Sequence, residues 1–192
     1  NVVALVHGRP KTLNLKEIIG HYVDHRHVVV LRRTQFELRK AEARAHILEG
    51  LTIALDNLDA VISIIRHSKD TDDAKANLIA GVFPAKLGTV QLEKLGLPTH
   101  GDSLFTLSEI QAKAILELRL NRLTGLERQK IEDEYQTVLA EIAHLNEILA
   151  DKGLRMSIIR TELLEMRDKY ADERRTEIDY TGGGDIFIED LI

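Results

Sequence analysis

Between Leu126 and Leu149 the apolar residues Ile131, Tyr135, Val138, Ile142, Leu145 and Leu149 fall at steps of 4, 3, 4, 3 and 4, with Glu132, Asp133, Glu134 and Glu141 among the residues between them. A helix turns about once per 3.6 residues, so a sustained 3/4 alternation draws one narrow stripe along one side, which a single partner helix can cover. The stretch therefore predicts one arm of a coiled coil. The seam breaks near Asp151-Lys152-Gly153 and resumes at the same spacing with Ile159, Leu163, Met166 and Tyr170, closing at Asp172-Glu173-Arg174-Arg175.

Its partner lies upstream. From about Val28 to Arg66 there is no Pro and the only Gly is Gly50, so one helix can run nearly the whole way. Leu31, Thr34, Leu38, Ala41, Ala45 and Leu48 again step by three and four. The stripe continues through Leu51, Leu55, Leu58, Ile62 and Ile65, while Ile47, Ala54 and Val61 open a second face, so wider burial is expected in the distal half. Two matched arms in one chain, with a compact segment between them, pack antiparallel. Ahead of them, Val2 to Val6, a turn at His7-Gly8-Arg9-Pro10 and a stretch from Lys11 to Leu15 read as a β-hairpin, followed by a short helix. The expected fold is mainly α: a long antiparallel coiled-coil arm with a small helical globular tip and a short N-terminal β-hairpin. It divides into the hairpin and short helix (1–30), the outgoing arm (31–66), the tip (67–125), the returning arm (126–171) and a linker (172–192).

The tip is expected to begin with the polar run Ser68 to Asp73, a short helix near Ala74 to Ala80 and a loop from Gly81 to Gly101. Ser108 and Gln111 then fit a capping box, in which each side chain satisfies the other residue's backbone N–H at a helix start. The helix they open, Ser108 to Leu123, is apolar on two faces, with Ile110, Ala114 and Leu118 on one and Ala112, Leu116, Leu120 and Leu123 on the other. A helix buried all round within its own domain would show this pattern. So would a self-association surface rimmed by Arg119 and Arg122, and this second reading is favoured because a long arm with a small end makes sense when the end meets something. The candidate dimer interface is Ala112, Ile115, Leu116, Arg119, Leu120, Arg122 and Leu123.

Among its 192 residues, 26 basic residues stand against 31 acidic ones, and no apolar run reaches the roughly 18 residues of a membrane span. A cytoplasmic protein is the default, and the absence of cysteine excludes a disulfide, a thiolate zinc site and a thiol nucleophile. Charge is uneven: Arg26, Arg32, Arg33, Arg39, Lys40 and Arg44 outnumber Asp24, Glu37 and Glu42 at the base of the arm. Arg32 and Arg33 are candidate nucleic-acid contacts there, although a solvated helix face explains the same charges. His21 and His25 have the i, i+4 spacing of two metal ligands, but Tyr22 stands where a zincin has Glu. There is no phosphate loop, nucleophile elbow or dinucleotide fingerprint, and Gly182-Gly183-Gly184 reads as a flexible linker. No catalytic residue, cofactor site or metal site is expected. The apolar run that follows Asn1 and the alternating Ile186 to Ile192 suggest a piece of a longer protein.

Three segments carry a specific likeness: Arg32 to Ala41, Ala45 to Leu51, and Gln111 to Leu120 continuing through Leu123-Thr124-Gly125-Leu126-Glu127. They closely resemble the A subunits of bacterial DNA gyrase, and the likeness extends from Gly8-Arg9-Pro10 to Arg174-Arg175-Thr176-Glu177-Ile178 and the acidic tail ending in Leu191-Ile192. The resemblance implies a type IIA topoisomerase, which cuts one duplex, passes a second through the gap and reseals it. It implies further that residues 1–30 end a tower-type head domain, that the arm and tip form the exit gate through which the transported duplex leaves, and that 172–192 lead to a C-terminal wrapping domain. Implied partners are a second copy of the chain, the B subunit in an A2B2 assembly, and double-stranded DNA, with ATP and Mg held by the B subunit. The family's cleaving tyrosine follows an arginine; no Arg-Tyr pair occurs here, so this part alone is expected to be inactive. The alternatives are the topoisomerase IV counterpart, which shares the architecture, and a non-enzymatic coiled-coil dimerisation module.

Overall fold

The computed structural model describes residues 2–84, 104–118 and 125–177. Strands β1 (Val2–Val6) and β2 (Arg9–Leu13) pair antiparallel, Val2 opposite Leu13 and Val6 opposite Arg9. The turn is shorter than expected. His7 and Gly8, at φ 51° and 77°, form a two-residue turn with both central residues in the left-handed region, the geometry that matches strand twist. Arg9 and Pro10 therefore belong to β2.

Helix α1 (Leu15–Asp56) starts where Asn14 caps it: the Asn14 side chain accepts from the Glu17 amide at 2.9 Å and the Glu17 carboxylate accepts from the Asn14 amide at 3.0 Å. It then runs 42 residues, about 63 Å at 1.5 Å per residue, without interruption at 30–31. The single helix expected to reach Arg66 instead breaks at Asn57. There the Asn57 side-chain amide donates to the Ile53 carbonyl and to the Pro84 carbonyl, both at 2.9 Å, ending α1 and letting α2 (Leu58–His67) turn off. Asp70 caps α3 (Thr71–Ala80), accepting from the Asp73 amide at 2.8 Å. Where the sequence suggested only loop, β3 (Val82–Pro84) pairs antiparallel with β4 (Leu104–Thr106), burying Phe83. Helix α4 (Glu109–Leu116) follows, then α5 (Gly125–Ala150) and α6 (Lys152–Tyr170), separated by Asp151 as the break in the seam foretold.

Along α5 the arm is antiparallel: Asp56 pairs with Arg128 and Arg44 with Glu134 at 2.6 Å, so α1 numbers fall as α5 numbers rise, while α6 meets α1 through Arg155 on His27 and through Glu162 on Arg33 at 2.7 Å. Its core joins Ala41, Ala45, Leu48 and Leu55 of α1 to Ile131, Tyr135, Val138, Leu139, Ile142 and Leu145 of α5. A second core fills the tip with Ile53, Ala54, Val61, Leu78, Phe83, Leu107, Ala112 and Ile115, and Leu51 packs against both. Beyond Asp151 the resumed seam is only partly covered: Ile159 is buried, whereas Leu163, Met166 and Tyr170 are 41%, 56% and 63% exposed.

Candidate functional site: the helical tip

Helix α4 is set on the end of the arm by its own first turn. Ser108 Oγ accepts from the Gln111 amide at 3.3 Å, and Gln111 Oε1 accepts from the Ser108 amide at 2.9 Å, completing the expected capping box. The same Gln111 side chain donates through Nε2 to the His46 carbonyl at 2.8 Å and reaches His46 Nδ1 at 3.3 Å. His46 Nε2 lies 2.7 Å from Ser108 Oγ. The two ring nitrogens of His46 thus bridge Gln111 and Ser108, and Nδ1 also lies 3.7 Å from Glu49 Oε2. Gly50 makes room for this: a Cβ there would sit 2.6 Å from Gln111 Cγ. Burial pushes the Glu49 carboxyl above its ordinary range, an effect that the nearby His46 opposes. Burial, and then the charge of Glu49, push the Tyr135 phenol up to about 12. On the outer side Lys75 donates to Glu109 at 2.9 Å, tying α3 to α4 and holding the Glu109 carboxyl below its ordinary range.

The apolar faces of α4 are divided differently from the sequence reading. Ala112 (0% exposed) and Ile115 belong to the chain's own tip core, with Ile53, Ala54, Val61 and Leu78. Leu116 is half-buried and packs against the edge of the same core. With Leu118 and the α2 residues Leu58, Ile62 and Ile65 it lines an open apolar groove of about 390 Å³, floored by Ala54, Leu55, Val61 and Ile115 and flanked by Arg66. The sequence stripe 58, 62, 65 carries this signal, but it reads as a continuation of the arm seam because nothing local announces the break at Asn57. Four interface candidates, Arg119, Leu120, Arg122 and Leu123, lie outside the described residues.

A family model for the A subunits of DNA gyrase and topoisomerase IV matches residues 1–164. The chain belongs to that family. It is 50% identical over all 192 residues to the DNA gyrase A subunit of Staphylococcus aureus and equally to that of Clostridium acetobutylicum. The match covers 100% of this chain but only 19% and 20% of those relatives, so the chain spans about a fifth of their length.

At the base of the arm of this gyrase/topoisomerase IV family member, the two nucleic-acid candidates have different surroundings. Arg33 donates to Glu162 at 2.7 Å, and Arg26 binds the same carboxylate, so the two arginines share one negative charge and the trio stays net positive. Hydrogen bonding from Arg33, reinforced by the positive charges of Arg33 and Arg26, holds the Glu162 carboxyl below its ordinary range. Arg32 is exposed and has no ion pair among the described residues. His21 and His25 line an apolar hollow with Leu5, Leu13, Ile18 and Val28. Among the described residues no three His, Asp or Glu side chains converge as a metal site, and no helix is long and apolar enough to cross a membrane.

Proposed function

We propose that this chain is the exit-gate part of a DNA gyrase A subunit, which closes by pairing with a second copy of itself through the tip. The observation that carries the reading is the unfilled apolar groove of Leu58, Ile62, Ile65, Leu116 and Leu118 at the far end of a two-helix arm, in a member of this family. Contiguous apolar surface of this kind on a soluble protein marks an interaction site. The gate also needs only moderate strength: two small patches held near each other by the rest of a dimer gain effective concentration, and can still part transiently.

In the whole enzyme this gate would release the transported duplex after ATP-dependent double-strand breakage, passage and rejoining, the activity that introduces negative supercoils. The B subunit of an A2B2 assembly would hold ATP and Mg, and the cleaving tyrosine would come from another part of the longer chain. This part then makes no break in DNA by itself, and it works in the bacterial cytoplasm. The residues proposed for the interface are Ala112, Ile115, Leu116, Arg119, Leu120, Arg122 and Leu123, of which Ile115 and Leu116 line the groove.

The test is molecular mass in solution across a concentration series. We expect a concentration-dependent dimer that Leu116→Arg and Leu120→Arg both weaken, because a charge buried in an apolar interface loses its hydration. A chain that stays monomeric at the highest concentrations, with neither variant changing its mass, would overturn the gate reading.

A further inference from the structure

The break between α5 and α6 is held by one side chain. A continuous helix would bond the Ile148 and Leu149 carbonyls to the amides of Lys152 and Gly153. Here Asp151 leaves helical geometry at φ −103° and ψ 114°, and its Oδ1 accepts from the Gly153 amide at 2.7 Å. Arg155 fills the gap: its Nη1 donates to the Ile148 carbonyl at 2.7 Å and to the Leu149 carbonyl at 2.6 Å. Its Nε donates to His27 Nε2, 3.0 Å away on α1, which is unbroken at this level. One guanidinium thus joins the end of α5, the start of α6 and the first third of α1.

Arg155 is only 8% exposed, yet among the described residues no carboxylate is one of its hydrogen-bond partners. An apolar side chain of similar volume would leave the Ile148 and Leu149 carbonyls without a donor, so closure of the junction depends on this one guanidinium. It suits a contact that must open, because the charge regains its hydration when released. Packing changes at the same point: α1 is buried extensively against α5, whereas α6 beyond the junction contributes only Ile159 and Arg155 as buried residues.

We propose that the α5–α6 junction is a hinge at which α6 swings away from the α1–α5 body, and that Arg155 is its latch, closed through His27. The inference rests on the fold alone and stands or falls separately from the gate reading. Because the chain has no cysteine, spin-label pairs can be introduced cleanly into the full chain. Lys16→Cys with Lys169→Cys reports α1 against α6, and Glu42→Cys with Gln136→Cys reports α1 against α5. We expect Arg155→Met to broaden the first distance distribution and leave the second unchanged, with amide exchange over 152–158 faster by about tenfold. His27→Leu should act in the same direction, and His27→Gln, which retains an acceptor, should not. Distributions unmoved by both Arg155→Met and His27→Leu, or both pairs broadened alike, would overturn the hinge. Should Arg155→Met fail to fold, His27→Leu against His27→Gln decides it.

Discussion

The two halves of the arm carry the same apolar spacing and are built differently. Distally, Ile131, Tyr135, Val138, Ile142 and Leu145 are all buried in one cluster with α1, where Ala41 and Ala45 are small enough to let α5 approach closely. Proximally, α1 presents Arg26, His27 and Arg33 to α6, and the contacts are the shared Glu162 carboxylate and the Arg155 latch rather than a filled seam. Leu163, Met166 and Tyr170 keep the period but remain largely in water. Periodicity therefore fixes which side of a helix turns inward, while the facing residues decide whether that side is covered.

The largest expected effect tests that contrast directly. Leu48, fully buried in the distal core, should cost about 2–5 kcal/mol on change to alanine, through lost transfer energy and a residual cavity. Leu163→Ala, at an equivalent seam position on the proximal side, should stay within roughly 1 kcal/mol because its side chain already meets water. Urea unfolding of both variants measures this. Equal losses would mean that the proximal seam is as closely packed as the distal one, breaking the comparison.

The next effect concerns what local pattern could and could not reveal. The Ser108/Gln111 box was legible because capping is a matter of four consecutive residues. Its docking on His46 was not, since residues 46 and 111 are joined only by the tertiary fold, and Gly50 entered the sequence reading only as the one glycine between Val28 and Arg66. The break at Asn57 was hidden for the same reason: its side-chain amide reaches Pro84, 27 residues away. The antiparallel pairing of α1 with α5 was legible because its signal repeats over many turns, whereas the packing of Ala112 and Ile115 into the tip core was not, because an apolar face does not say whether it meets its own chain or another. Gly50→Ala should gain up to about 1 kcal/mol in helix propensity. It should nevertheless lose about 1–3 kcal/mol overall, because the new methyl group meets the Gln111 stem rather than a flexible end. The double variant Gly50→Ala/Gln111→Ala should be less destabilised than the sum of the two singles, since the clash disappears with the side chain. Strict additivity would show that α4 does not rest on this contact.

The smallest effect sharpens the comparison by sign. Glu162 at the proximal base has its carboxyl held below the ordinary 4.5, first by the hydrogen bond from Arg33. Its contribution to stability is fully present above about pH 4.5, where the unfolded carboxyl is also ionised, and is lost as pH falls through the lower folded value. The pair is partly exposed and screened by salt, so Glu162→Gln should cost a few tenths to about 1 kcal/mol at neutral pH. Glu49 at the distal end has its carboxyl raised by burial, and the sign reverses. The folded chain holds that proton more tightly, so Glu49's favourable contribution is present below pH 4.5 and disappears as pH rises through the folded value. Glu49→Gln should therefore leave stability at neutral pH unchanged or higher, because glutamine can still accept from Gln111 without burying a charge. Unfolding free energies of the two variants between pH 3 and 7 should diverge in opposite directions from the parent. Parallel curves would show that ion pairing and burial do not divide the two halves of the arm in this way.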